Sequence, residues 1–217
     1  MGQRANGLNR QTQRKRMKLP TRNECYRLMC QMEMMDHIVV HSMQVCRVAT
    51  VLAENLTPAG IQLNFDLIRA SALLHDITKT RSFETKENHA ETGGHYLTEI
   101  GYAEVGNLVR QHVRLDDYPQ KVLLDEAVIL NYADKRVLHE NVVSLDKRAE
   151  YILEKYTKGP EDRRRVYLLW EKTREIEDEI FAALLFSPDD LNNLINAEDR
   201  SVDFKEYQRI CGVEMNL

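Results

Sequence analysis

An apolar run, Ala70-Ser-Ala-Leu-Leu-His-Asp-Ile-Thr-Lys79, closes on adjacent histidine and aspartate residues with a lysine three positions on. Ile68, Ala72 and His75 repeat at helical spacing, and Leu73 stands one turn before Asp76. That spacing puts the pair at the inner end of a buried helix. A buried imidazole and carboxylate cost several kcal/mol unless something compensates them, and a divalent cation is the compensation that uses both. Alone, the dipeptide reads equally well as a core histidine beside an aspartate N-cap. The fold must therefore bring further donors to this point, or none.

The rest of the chain is written for helices. Nine glycines and five prolines in 217 residues leave few places to punctuate strands. Thr21, with Glu24 at the capping-box position, starts a helix through Met29 toward Met34. From Asp36 to about Asn55 a second helix carries His41, Val45, Val48 and Leu52 on one stripe, which turns His41 inward. His37 lies on the same face one turn earlier, and spacing alone does not separate the two. Thr57-Pro-Ala-Gly60 is a turn, and the next helix runs from about Asn64 to the His-Asp pair. Residues 78–87 are polar and aperiodic and read as a loop. Asn88 is an N-cap with Glu91 three residues later, placing His89 in a first helical turn. Gly93 and Gly94 weaken that helix by roughly 1 kcal/mol each against Ala, which predicts close approach of another element there. His95 falls off the His89 face, at the rim or surface.

Val105, Leu108 and Val109 lead to His112 at the edge of another amphipathic helix, followed by the charged segment Arg114-Leu-Asp-Asp-Tyr-Pro119. The most apolar helix is expected from Asp125 to about Asn141, with Ala127, Leu130, Asp134, Val137 and Leu138 on one face. Asp134 is then a carboxylate inside an apolar stripe, and it needs a partner. Beyond it, helices are expected at about 144–157, 161–185, 188–196 and 203–210, with no convincing strand pair anywhere.

These readings divide the chain into a basic arm (1–20), a helical domain (21–143) and a C-terminal helical extension (144–217). The first 22 residues hold seven Lys or Arg and no acid, which predicts disorder without a partner. A net charge of −4 gives no general attraction to nucleic acid or to an anionic membrane. No long apolar span or secretory signal is legible, and Cys25, Cys30, Cys46 and Cys211 follow no framework spacing. The expected state is reduced thiols in a cytoplasmic protein. Phe181-Ala-Ala-Leu-Leu-Phe186 suits either the core or a homodimer contact.

The inward-facing donors are His41, His75, Asp76, His89, His112 and Asp134. Nitrogen and oxygen donors without sulfur suit Fe, Mn, Zn or similar ions and argue against a structural zinc site. His41, His75, Asp76 and Asp134 suffice for one ion, and all six suffice for two with Asp76 between them. The order resembles the HD-domain superfamily of metal-dependent phosphohydrolases, in the branch with two extra histidines. His41-Ser-Met-Gln-Val-Cys-Arg-Val-Ala49 is similar to its first motif, Leu74-His-Asp-Ile-Thr-Lys79 to its His-Asp-Ile-Gly-Lys signature, with Thr78 in place of Gly. Asn88-His-Ala-Glu-Thr-Gly93, Val109-Arg-Gln-His112 and Ala133-Asp-Lys135 match the later motifs, and the resemblance selects His41 over His37.

The resemblance implies an all-α HD-domain helical bundle holding one or two divalent ions, Fe or Mn first, with Zn, Ni, Co or Mg as further candidates. It implies hydrolysis of a phosphate ester or phosphoanhydride of a nucleotide or dinucleotide, with a metal-held hydroxide as nucleophile and Asp76 as its orienting bridge. Lys79 is then the phosphate contact, with Arg114 and Lys135 as further ones, and a small phosphorylated molecule rather than nucleic acid is the expected partner. No Gly-Tyr-Pro motif of the cyclic-di-GMP phosphodiesterases follows. The same branch includes diadenosine tetraphosphate hydrolases and di-iron oxygenases such as myo-inositol oxygenase. A di-iron oxygenase and a nucleotide-sensing module are the two alternatives.

Overall fold

In a computed structural model that describes residues 17–117, 123–195 and 198–212, helices carry most of the described residues. The expected arm falls almost wholly outside the described residues. Helix α1 (Arg22–Gln31) opens on a closed capping box, the Thr21 amide donating to Glu24 Oε2 at 2.7 Å while the Thr21 hydroxyl accepts from the Glu24 amide. Helix α2 (Asp36–Leu56) is the central rod. Its Val45, Val48 and Leu52 stripe is fully buried against α3 (Phe65–Leu74) and α7 (Glu126–Lys135).

Helices α5 (His89–Glu99) and α6 (Ala103–Gln111) form a tightly packed hairpin. The cause is a glycine contact: a Cβ on Gly106 would lie 2.5 Å from the Gly94 carbonyl oxygen and 2.5 Å from Thr98 Oγ1, and one on Gly94 would lie 2.7 Å from the Gly106 carbonyl. The close approach expected from Gly93-Gly94 is thus present, with Gly106 as the other half. Gly106→Ala has backbone on one side with nowhere to go, so a loss of about 1–3 kcal/mol is expected in urea unfolding. Unchanged stability would mean the two helices are free to separate.

Two local expectations fail. Residues 79–85 form a short helix, α4 (Lys79–Thr85), rather than a loop. It buries no residue and ends on Lys86 at φ 61°, so it has no apolar stripe for periodicity to reveal. Helix α7 stops at Lys135, and Val137 and Leu138 instead form strand β1 (Val137–Leu138), paired with β2 (Asn141–Val142) with Val137 opposite Val142. His139 takes a φ of 56° in the turn between them. A short apolar run suits helix or strand equally, and here the turn decides.

The C-terminal helices are α8 (Leu145–Tyr156, N-capped by Ser144), α9 (Pro160–Ala182), α10 (Leu191–Leu194) and α11 (Glu198–Cys211). Trp170, Ile176, Ile180, Leu191 and Tyr207 join the same apolar cluster as α2 and α3. Trp170 Nε1 donates to the Leu145 carbonyl at 2.8 Å, which fixes α9 on α8. Helix α11 returns to α1 and α2, where Arg22 of α1 and Arg47 of α2 both grip the Asp203 carboxylate. Cys30 and Cys211 are 181 residues apart and disulfide-bonded, with Cα atoms 5.7 Å apart. This corrects the expectation of four reduced thiols; only Cys25 and Cys46 are free, and no sequence spacing could show which helices would meet. Among the described residues, no helix is long and apolar enough to cross a membrane.

Candidate metal centre

Helix ends build the centre. His75 is the C-cap of α3 and His112 the C-cap of α6, and each uses Nδ1 in the same way. Nδ1 of His75 lies 2.8 Å from the Ala72 carbonyl, and Nδ1 of His112 lies 2.7 Å from the Val109 carbonyl. Each ring thereby ties its Nδ1 to a carbonyl of its own last turn, and Nε2 is left to point outward. His41, on α2, sets Nδ1 2.9 Å from the carbonyl of His139, the hairpin residue with positive φ. His89 is the first residue of α5, with Asn88 capping the helix through the Ala90 amide. His37 is exposed in the first turn of α2, and His95 is exposed on α5.

All six donor residues meet. Nε2 of His41 lies 3.0 Å from Asp134 Oδ1, and His75 Nε2 lies 3.6 Å from the same oxygen and 3.4 Å from Asp76 Oδ2. On the other side of Asp76, Oδ1 is 3.2 Å from His89 Nε2 and 3.5 Å from His112 Nε2, and those two nitrogens are 3.3 Å apart. The donor atoms of His41, His75 and Asp134, and those of His75, Asp76 and His112, each gather within 4.8 Å of one another.

The proton count shows that these residues fit a cation. A neutral imidazole carries one N–H, yet the His41 ring has an acceptor oxygen at each nitrogen, His139 O and Asp134 Oδ1. One of its two contacts therefore sets lone pair against lone pair. His75 Nε2 and Asp76 Oδ1 are buried without a hydrogen bond of acceptable alignment, although carboxylate and imidazole neighbours approach them. Buried polar atoms of this kind are rare, and a metal ion between them removes the deficit. These groups could hold a metal ion.

Electrostatics agree. Burial keeps His112 neutral, pushing it down to about 4, and burial likewise lowers His41 against the pull of Asp134. For His75, burial is outweighed by the carboxylates of Asp76 and Asp134, which push it up to about 10. Burial is likewise outweighed at Asp76, by Lys79 and His75, and at Asp134, by its hydrogen bonds to His41 and His75; both carboxyls stay far below the usual range. Without an ion, a proton on His75 supplies the positive charge. Cation binding must displace it, so about one proton is expected to be released at pH 7, with apparent Mn²⁺ affinity rising roughly tenfold per pH unit until pH approaches 10. Calorimetry in buffers of different ionisation enthalpy reads this directly; binding without proton release would contradict it.

Lys79 places Nζ 2.7 Å from Asp76 Oδ2 while keeping 29% of its side chain exposed, so it links the buried carboxylate to the opening. Arg114 is exposed just beyond His112. Lys135, expected as a phosphate contact, is placed otherwise: it is 3% exposed and donates to Asn131 Oδ1 at 2.7 Å and to the Val113 carbonyl at 3.3 Å. Its ammonium closes the carbonyl end of α6, as Asn131 does by donating to the Gln111 and His112 carbonyls, both at 3.0 Å. Asn131 and the His139 carbonyl carry no donor-type signal in the sequence and were not singled out there. A cavity of about 820 Å³ between α1, α2, α3 and the C-terminal helices contains none of the six donors.

Residues 38–137 match the family model described as HD domain. The chain is similar to a protein named Ribonuclease Y from Fervidobacterium nodosum, 28% identical over 116 residues, which cover 52% of this chain and 22% of that one. It is also similar to Ribonuclease Y from Fusobacterium nucleatum subsp. nucleatum, 26% identical over 122 residues, covering 55% of this chain and 23% of that one. The chain thus spans less than a quarter of the length of these relatives. No solved structure matches it.

Proposed function

We propose, from the match of residues 38–137 to the HD-domain family model, that the chain is a metal-dependent phosphohydrolase whose substrate is a nucleotide-type phosphate ester or anhydride. The observation that carries this reading is the proton deficit at His41, His75 and Asp76, which a cation centre resolves. His41, His75 and Asp134 with one oxygen of Asp76 form one set of ligands; the other oxygen of Asp76 with His89 and His112 forms a second. Asp76 lies between them, so two ions, Fe or Mn by donor type, are the proposed complement. Bound divalent ions make water a nucleophile at neutral pH and neutralise phosphoryl charge.

The chain's own residues supply the rest. The Nδ1 contacts of His41, His75 and His112 to backbone carbonyls fix ring orientation before substrate arrives. Burial disfavours the Lys79 ammonium, but Asp76 outweighs it and holds the pKa up, so Lys79 stays charged and can turn from Asp76 to a phosphate oxygen. The relatives' name, Ribonuclease Y, favours a second reading in which the bond cut is an RNA phosphodiester. Incubating the Mn²⁺-loaded protein with nucleoside mono- and diphosphates, diadenosine tetraphosphate and a short oligoribonucleotide tests both. Release of phosphate or nucleotide from the small substrates supports the first, cleavage of the oligoribonucleotide alone moves the reading to the second, and no metal-dependent hydrolysis of any of them ends both.

A further inference from the structure

Helix α8 of the C-terminal extension brings aromatic and basic groups next to His139, on the far side of the residue that contacts His41. Arg148 and Tyr151 stand one turn apart on α8, with the guanidinium 5.9 Å from the Tyr151 ring centroid. Tyr151 sits edge-on to His139 at 5.5 Å, and His139 is the residue whose carbonyl holds His41. Tyr156 follows, its ring 6.2 Å from that of Tyr151 and 62% exposed. A chain of direct contacts therefore runs from the centre through His139 to an exposed aromatic face.

Arg148 is half-buried, and among the described residues no carboxylate lies within ion-pair distance of it. Lys79 supplies one cation at the centre, bonded to Asp76, and Arg148 a second one beside the Tyr151 ring. A half-buried arginine without a carboxylate partner, next to an exposed ring, suits a ligand that carries an anionic group and a flat base a few ångströms apart.

We propose that α8 is the substrate wall: Arg148 receives the phosphate, and Tyr156, braced by Tyr151, stacks the base of a nucleotide. This rests on the phosphohydrolase reading above and narrows it to substrates with a nucleobase next to the phosphate. The structural role of α8 alone does not require an exposed tyrosine at its end or an arginine without a carboxylate partner.

The test is calorimetric binding to the full-length Mn²⁺-loaded protein, using hydrolysis-resistant 5′-phosphonate analogues of adenosine monophosphate and of ribose 5-phosphate. The nucleoside probe should bind about 10- to 100-fold more tightly than the sugar probe, the range expected of one base stacked on one ring. Tyr156→Ala should remove that difference and Tyr156→Phe should keep it. Arg148→Ala should weaken both probes by a similar factor, about tenfold, at unchanged metal content, and Arg148→Lys should recover part of it. Equal affinities in the unaltered protein, a base preference that survives Tyr156→Ala, or full affinity in Arg148→Ala would overturn the proposal. Hydrolysis of p-nitrophenyl phosphate is followed alongside. Its absence, with the binding contrasts intact, counts against the phosphohydrolase reading and leaves the nucleotide wall standing.

Discussion

Asp76→Asn is expected to lower metal-dependent hydrolysis by at least about 10³-fold while leaving the helical content of the protein unchanged. The substitution keeps the shape of a side chain that is fully buried but removes the charge toward which His75, His89, His112 and Lys79 all converge. An amide has one acceptor oxygen where the carboxylate has two, so it cannot serve both sets of imidazoles at once. The His75 proton also loses its nearest carboxylate, which should bring its titration back toward the ordinary histidine range. Steady-state turnover with circular dichroism on the same preparation checks the prediction. Wild-type turnover in Asp76→Asn would remove this aspartate from the mechanism.

Arg136→Ala should destabilise the fold by roughly 3 kcal/mol, a drop of about 6–12 °C in melting temperature for a chain of this size. Arg136 is 3% exposed and joins three parts of the chain. Its Nε donates to the Val143 carbonyl at 2.7 Å, Nη1 to Glu177 at 2.9 Å and to the Tyr132 hydroxyl, and Nη2 to the Pro188 carbonyl at 2.9 Å. Removing it breaks a buried ion pair and leaves the Val143 carbonyl without its donor, a desolvation penalty of about 1–3 kcal/mol, while the Tyr132 hydroxyl keeps its bond to Glu177 and the Pro188 carbonyl its bond from the Leu191 amide. Glu177 is 21% exposed and recovers water, so Glu177→Gln should cost far less, about 1 kcal/mol or below. Differential scanning calorimetry on both variants decides it; equal losses would place the tie in the Glu177 charge.

The site was legible where a side chain's spacing carries its direction. His41 heads a stripe of buried valines and leucine, Asp134 interrupts an apolar face, and Asn88 announces the first turn that holds His89. His37 shows the limit of that signal: it shares a face with His41 but lies in the first turn of α2, where it is left exposed. Lys135 was misdirected for a related reason. Its neighbour Asp134 faces the donors, but the next position along a helix points about 100° away, and there the carbonyl end of α6 takes the ammonium. The His139 carbonyl is backbone and leaves no mark in composition or periodicity, although it fixes the orientation of His41. The meeting of Gly94 with Gly106 and of Cys30 with Cys211 depends on which helices pack together, and pairings at that separation are set by tertiary structure. Helix α4 escaped notice because it buries nothing.

Two carboxylates, Asp76 fully buried and Asp134 partly so, and four imidazoles form the proposed cation centre. Elemental analysis of the purified chain, repeated on Asp76→Asn and after chelation and reloading with Mn²⁺ or Fe²⁺, measures it most directly. Two tightly held ions per chain, falling to one or none in Asp76→Asn and returning to the unaltered protein on reloading, is the result predicted. A chain that binds no divalent ion under any loading condition, with His75 still protonated at neutral pH, would show that the proton alone satisfies the cluster and would contradict the account.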